Sequence, residues 1–207
     1  MSSASDSVRA SGRRPVTPRA HPGKAYHHGD LRAALLCSAR TLLEEQSIAA
    51  LGLRAITRHA GVSQTAAIPH FGNLTGLLSA LATVGYEDLA DALTPALPQG
   101  AHAAGMAYVR FAIRNPGLFT LMFRSDAIDR KEPDLAAASA QTSAMLTRLI
   151  GSLEGPRSSQ TRAGTRAALW GKVHGLAVLA VDGLLEPLLT FDGEEMSLDE
   201  LIADALR

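Results

Sequence analysis

From Asp30 onward the apolar residues recur every three to four positions, and nowhere does a run of β-branched residues alternate at a period of two. Such spacing builds amphipathic helices, because 3.6 residues complete a turn and bring i, i+3, i+4 and i+7 to one face. Leu31, Leu35, Ala39 and Leu42 or Leu43 set a first helix, with Asp30 as its N-cap and an end near Gln46. In a second, over Leu53 to Ala60, Leu53, Ile56 and Ala60 share one face while Arg54 and Arg58 share another, and Gly61 follows as the residue that ends it. Ser63 caps a third, very short helix expected to stop near Ile68, because Pro69 has no N–H to give the carbonyl of Thr65. Asn73 caps a fourth, from about Leu74 to Leu93. Further helices are expected over roughly 100–113, 116–124, 133–151, 160–185 and 197–206, broken at Pro116, Pro133, Gly155-Pro156, Pro187 and Gly193. The chain reads as all-α, without an internal repeat.

Charge locates a partner. The 207 residues carry 20 basic and 20 acidic side chains, but the balance is uneven. Residues 1–75 hold nine basic groups against four acidic, a net +5, which leaves −5 for the remainder; five of the seven histidines also fall in the first part. A basic segment at one end points to an anionic partner such as nucleic acid. Residues 1–25, with Pro15, Pro18 and Pro22 and almost nothing to bury, are expected to form a disordered basic arm. They contain no apolar run long enough for a secretory signal. The longest uncharged stretch, His59 to Tyr86, holds Gln64, Pro69, His70, Asn73 and four glycines, which argues against a membrane span. The chain is therefore expected to be soluble and cytoplasmic. Cys37 is the only cysteine, so an internal disulfide is excluded, and among Leu35, Leu36 and Ala39 it reads as a buried inert thiol. His21, His27 and His28 lack a cysteine or carboxylate at metal-binding spacing, so neither metal nor cofactor is expected. No nucleophile elbow, phosphate loop or histidine-carboxylate spacing is present, and an enzyme is not expected.

A helix, a glycine-containing turn and a second short helix between about 53 and 70 form the helix-turn-helix pattern, whose second helix enters the DNA major groove. Residues 53–77, with Gly61-Val62-Ser63 and His70-Phe71, resemble the DNA-binding domain of the tetracycline-repressor (TetR) family. Tyr26-His27-His28-Gly29-Asp30-Leu31-Arg32 is similar to the start of that domain in one branch of the family. Trp170-Gly171-Lys172-Val173-His174-Gly175-Leu176 resembles the Trp-His-Gly signature of that branch's C-terminal domain, and residues 108–123 match the same domain. The resemblance covers about 26–185 and implies a homodimeric transcription regulator, usually a repressor, released from a palindromic operator by a small-molecule effector. After the arm at 1–25 it implies a three-helix DNA-binding domain at 26–75, and a helical bundle at 76–207 for ligand binding and dimerisation through the last two long helices.

Two departures from the family pattern bear on DNA affinity. A tyrosine and a lysine that ordinarily touch phosphates are replaced here by Ile68 and Leu74, which removes one hydrogen-bond donor and one charge per subunit. Positive charge must then come from Arg13, Arg14, Arg19 and Lys24 of the arm and from Arg54 and Arg58. Base reading falls to Gln64 and Thr65, with Ser63, His70 and the methyl of Ala66 or Ala67 beside them. Met106, Arg110, Phe111, Phe119, Met122, Phe123, Trp170 and His174 are the candidate lining of an effector pocket, since aromatic and thioether groups concentrate there in an aromatic-poor chain; a plain core would use the same residues. Gly171 and Gly175, four apart, would let another helix approach closely. A second reading keeps the fold without DNA binding, as a small-molecule or interaction module. It rests on Ile68 and Leu74, on Pro69, on Ser47 where the family favours glycine, and on Thr57 where it favours alanine.

Overall fold

Apolar stripes become helices where the local chemistry starts and stops them. A computed structural model of the chain describes residues 30–153, 162–190, 193 and 195–207. Among these are α1 Leu31–Glu45, α2 Leu53–His59, α3 Gln64–Phe71, α4 Leu74–Leu93, α5 Ala101–Arg114, α6 Pro116–Arg124, α7 Pro133–Leu153, α8 Arg162–Val181 and α9 Leu198–Ala205, with short 3₁₀ turns at Ile48–Ala50, Leu97–Gln99 and Glu186–Leu188. No strand occurs among the described residues. The arm, with Arg14, Arg19 and Lys24, the Tyr26–Gly29 motif and the Gly155-Pro156 break lie outside them.

Helix ends follow sequence chemistry closely. Asn73 accepts a hydrogen bond from the N–H of Gly76 at 2.9 Å, and Ser197 with Glu200 forms a reciprocal capping box on α9. Gly61, at φ +72°, closes α2 with Val62 N–H donating to Thr57 O (2.9 Å), and Gly183, at φ +71°, closes α8 with Leu184 N–H donating to Leu179 O (2.8 Å). The α8 helix therefore stops short of the 185 expected from periodicity, because Gly183 turns left-handed. α3, by contrast, runs past Ile68 to Phe71. Pro69 removes only its own donor, and Thr65 is exposed, so solvent can serve the carbonyl left without one. Ser63 stands at the N-cap position, but its hydroxyl pairs with that of Thr65 (2.9 Å) instead of capping a backbone N–H.

Residues Leu31–Arg207 form one unit whose core is built around α4. Leu77, Leu78, Leu81, Leu89 and Leu93 are almost wholly buried along it, against α1, α5, α6 and α7. Each such side chain contributes about 1.5–3 kcal/mol of burial. Gly85 lets α6 approach, since a Cβ there would sit 2.6 Å from Met122 Sδ and 3.1 Å from Leu118. Leu35, Leu43 and Ile56 belong to the same buried core, in which α1 packs against both α2 and α4. Cys37, expected among the buried residues of α1, is exposed; its neighbours Leu36 and Ser38 are the ones that turn inward.

Candidate nucleic-acid interface and ligand cavity

The helix-turn-helix is held from behind. Ala67 is 1% exposed and packs α3 onto the core, and partly buried Phe71 and Leu74 follow it. The Arg32 guanidinium lies 5.5 Å from the centroid of the Phe71 ring, a cation–π contact that ties α1 to the end of α3. Thr57, buried, donates to Leu53 O at 2.9 Å, so the hydroxyl that replaces an alanine methyl is satisfied within its own helix.

The outer face carries the groups that can meet a nucleic acid. Arg54 and Arg58 are exposed one turn apart on α2 and, among the described residues, form no ion pair. Ser63, Gln64, Thr65 and His70 are exposed on or beside α3, and Ala66 is half-buried. Ala67, offered from sequence as an alternative methyl for thymine, is instead a core residue, because its face of α3 is the one that packs. Ile68 is 51% exposed and Leu74 packs inward, so the two aliphatic replacements have different fates. From Gln46 to Tyr86 the sequence contains no carboxylate, which leaves the charge of Arg54 and Arg58 uncompensated along this surface.

A cavity of about 410 Å³ opens between α4, α5, α7 and α8. Leu89, Ala104, Leu146, Leu169 and Val173 give it apolar walls, and Tyr86, Tyr108, Phe123, Trp170 and His174 add an aromatic end. Phe123, Trp170 and His174 are the three sequence candidates that line it. Phe111, Phe119 and Met122 do not: each is buried in the core, and Phe119 sits behind the lining, its ring packed against those of Phe123 and His174. Met106 and Arg110 border a shallow groove beside α9 instead. There Arg110 Nε donates to Asp199 at 2.9 Å and its Nη2 to the other carboxylate oxygen, a pairing that lowers the Asp199 pKa and joins α5 to α9.

The aromatic end is a connected cluster. The Phe123 ring stands 5.0 Å from His174 and 4.9 Å from Phe119, and Phe119 meets Tyr108 edge-on at 6.0 Å. Tyr108 and His174 Nδ1 are 2.9 Å apart. Burial raises the pKa of the phenol, and burial followed by the nearby Arg124 charge lowers that of the imidazole. Both shifts favour the neutral pair, whose one hydrogen bond takes its direction from the imidazole tautomer. Sequence reasoning missed Tyr108, Arg130 and the α7 hydroxyls of Ser139, Thr142 and Ser143. It also missed Arg166, although Arg166, Trp170 and His174 at four-residue spacing are a legible stripe.

One joint links the two regions. Glu44 of α1 accepts hydrogen bonds from Gly117 N (2.8 Å) and Leu118 N (3.0 Å), capping α6 from another helix. Arg40 spans from Asp88 on α4 (2.6 Å) to Asn115 at the α6 start (2.9 Å). α6 in turn carries Phe123 into the cavity wall.

Together, a helix-turn-helix braced on a helical bundle defines an all-α regulator of the DNA-binding class. The Tetracyclin repressor-like C-terminal domain profile matches residues 101–205, just over half of the 207, and the profile of bacterial regulatory proteins of the tetR family matches 35–81. The chain belongs to the TetR family of transcription regulators. It is similar in structure to a protein with unknown function from Rhodococcus sp. RHA1, with 27% identity and a TM-score of 0.71, over 89% of this chain and 95% of that one. It also shares its fold with the TetR family transcriptional regulator PfmR from Thermus thermophilus (16% identity, TM-score 0.60, 83% and 94% covered). A TetR family transcription regulator from Marinobacter aquaeolei VT8 is similar to the same degree (17% identity, TM-score 0.60, 84% and 91% covered). No curated protein sequence matches the chain. Among the described residues no helix is long and apolar enough to cross a membrane.

Proposed function

We propose that the protein is a ligand-responsive repressor that binds a palindromic operator as a homodimer and leaves it when a small molecule fills the cavity. The observation that carries this reading is the exposed face of α2 and α3. Gln64 and Thr65 stand where base edges would lie, flanked by Arg54 and Arg58 on a carboxylate-free surface. The basic arm supplies the phosphate contacts that Ile68 and Leu74 no longer make. Dimerisation is supported by the outer face of α8, where Gly171 and Gly175 meet nothing within 4 Å and Leu179 is 39% exposed, and by Leu184 in the turn that follows it, 59% exposed. α9 uses part of its apolar face within its own chain, burying Ile202 and placing Leu206 against Gly105, so α8 offers the larger free surface. Effector binding displaces the Phe123 cluster, moves α6, and acts on α1 through Glu44 and Arg40.

Fluorescence anisotropy against DNA flanking the protein's own gene, at two salt concentrations, tests this. Sequence-dependent binding that weakens with salt is expected, and removal of residues 1–24 flattens the salt dependence. Absence of sequence-dependent binding at low salt refutes the regulator reading and leaves the interaction module, for which Ile68, an aliphatic side chain standing out from α3, is the specific observation.

A further inference from the structure

The polar groups that line the cavity are unequal in sign. Among the described residues no aspartate or glutamate lines it, whereas Arg130 and Arg166 both do. Among the described residues neither arginine has a carboxylate within salt-bridge distance. Arg130 donates to backbone carbonyls, at 3.0 Å to Met122 O and 3.4 Å to Ser125 O, so it buttresses the α6–α7 turn. Among the described residues Arg166 donates to no group but the hydroxyl of Ser143 on α7, a neutral partner that leaves most of its donors and its charge unspent.

From Arg166 one stripe of α8 continues at four-residue spacing to Trp170 and His174, a length of about 12 Å at 1.5 Å per residue. Leu169 and Val173 lie beside it, and Leu89, Ala104 and Leu146 face it from the other helices. A ligand that matches this lining has one anionic end and an apolar body. A cation would meet two arginines and no acid. A neutral apolar molecule would draw nothing from the Arg166 charge, which would stay with Ser143 and solvent.

We infer that the cavity selects an amphipathic organic acid, a carboxylate with an aliphatic or aryl body, whose head pairs with Arg166 beside Ser143 and whose body lies along Trp170 toward Phe123. This rests on the reading that the cavity holds the effector, and it specifies the chemistry of that effector. The Arg166 fork can take both carboxylate oxygens, a geometry that an alcohol of the same shape does not offer.

The full-length protein is titrated with decanoate, 1-decanol and decylamine, and with 4-phenylbutyrate against 4-phenylbutanol, following the fluorescence of Trp170, the chain's single tryptophan. At least one acid is expected to bind about fivefold or more tightly than its alcohol, the scale of one solvent-facing charge pair, with decylamine the weakest of its series. Added salt weakens the acid and spares the alcohol. Arg166→Gln, at an exposed position, lowers the acid to the level of its alcohol without changing alcohol affinity. Equal affinity of acid and alcohol overturns the anion assignment, and an acid preference that survives Arg166→Gln overturns the pairing of the head with Arg166; either leaves the cavity as the effector site. No fluorescence response to any of the five compounds removes the cavity reading and this inference with it.

Discussion

Replacing Glu44 with alanine takes away both bonds by which α1 caps α6. The carboxylate accepts from Gly117 N at 2.8 Å and Leu118 N at 3.0 Å, on a helix whose own N-cap residue, Asn115, makes no side-chain cap. Loss of a capping acceptor costs about 0.5–2 kcal/mol. Glu44 is exposed, so water re-solvates the freed N–H groups and the expected cost is near 1 kcal/mol. In a chain of this size that lowers Tm by about 2–4 °C. Glu45, the next residue, is also exposed and caps nothing, so Glu45→Ala is the control and should stay within about 0.5 kcal/mol of the parent. Urea denaturation of both variants against the parent measures the difference. Indistinguishable variants would refute the capping argument. Under the proposed coupling, Glu44→Ala also narrows the ratio of operator affinities measured without and with effector, whereas a cap without a signalling role leaves that ratio unchanged.

Three further outcomes follow from single positions. Gly76→Ala would place a Cβ 2.1 Å from Phe71 O, so α3 must shift off the core; a loss of about 1–3 kcal/mol and of DNA affinity is expected, and an unaltered melting curve would show that the contact yields freely. Ser47 has φ +123°, the single non-glycine at positive φ among the described residues; Ser47→Gly relieves strain of order 1–3 kcal/mol, less up to about 1 kcal/mol of added backbone entropy in the unfolded chain, so a raised urea midpoint is expected and a lowered one argues against strain. His174 has its pKa lowered from 6.5 by burial and by Arg124, so below about pH 6.5 the unfolded chain takes up the proton first and stability is lost as pH falls. Comparing urea midpoints at pH 7.5 and 5.5 should show a smaller drop for His174→Gln than for the parent; equal drops would remove this assignment.

Local chemistry was legible because it acts within a few residues. Asn73 and Gly61 start or stop helices through bonds to their own neighbourhood, whereas the packing face of α3 was not legible, since Ala66 and Ala67 are alike in sequence and only Ala67 turns into the core. Pro69 shows where such reasoning overreaches, since the cost of one missing donor depends on whether water reaches the carbonyl it leaves. Ser63 shows the same limit, because the hydroxyl of Thr65 outcompetes a backbone N–H for it.

By itself, the sequence determined the order of the helices, the ends set by Asn73 and Gly61, the helix-turn-helix and the opposition of a +5 N-terminal part to a −5 body. Periodicity fixes a side chain's angle about its own helix axis, and that is enough to say it turns inward. It does not say whether the interior there is filled or hollow. Phe119 and Phe123 lie one turn apart on α6, yet Phe119 is core and Phe123 lines the cavity. Only the tertiary structure decided this, because the cavity exists where four helices fail to fill the space between them. Its charge came from the same source: Arg166 becomes a cavity group because α7 sets the neutral hydroxyl of Ser143, and no carboxylate, beside it.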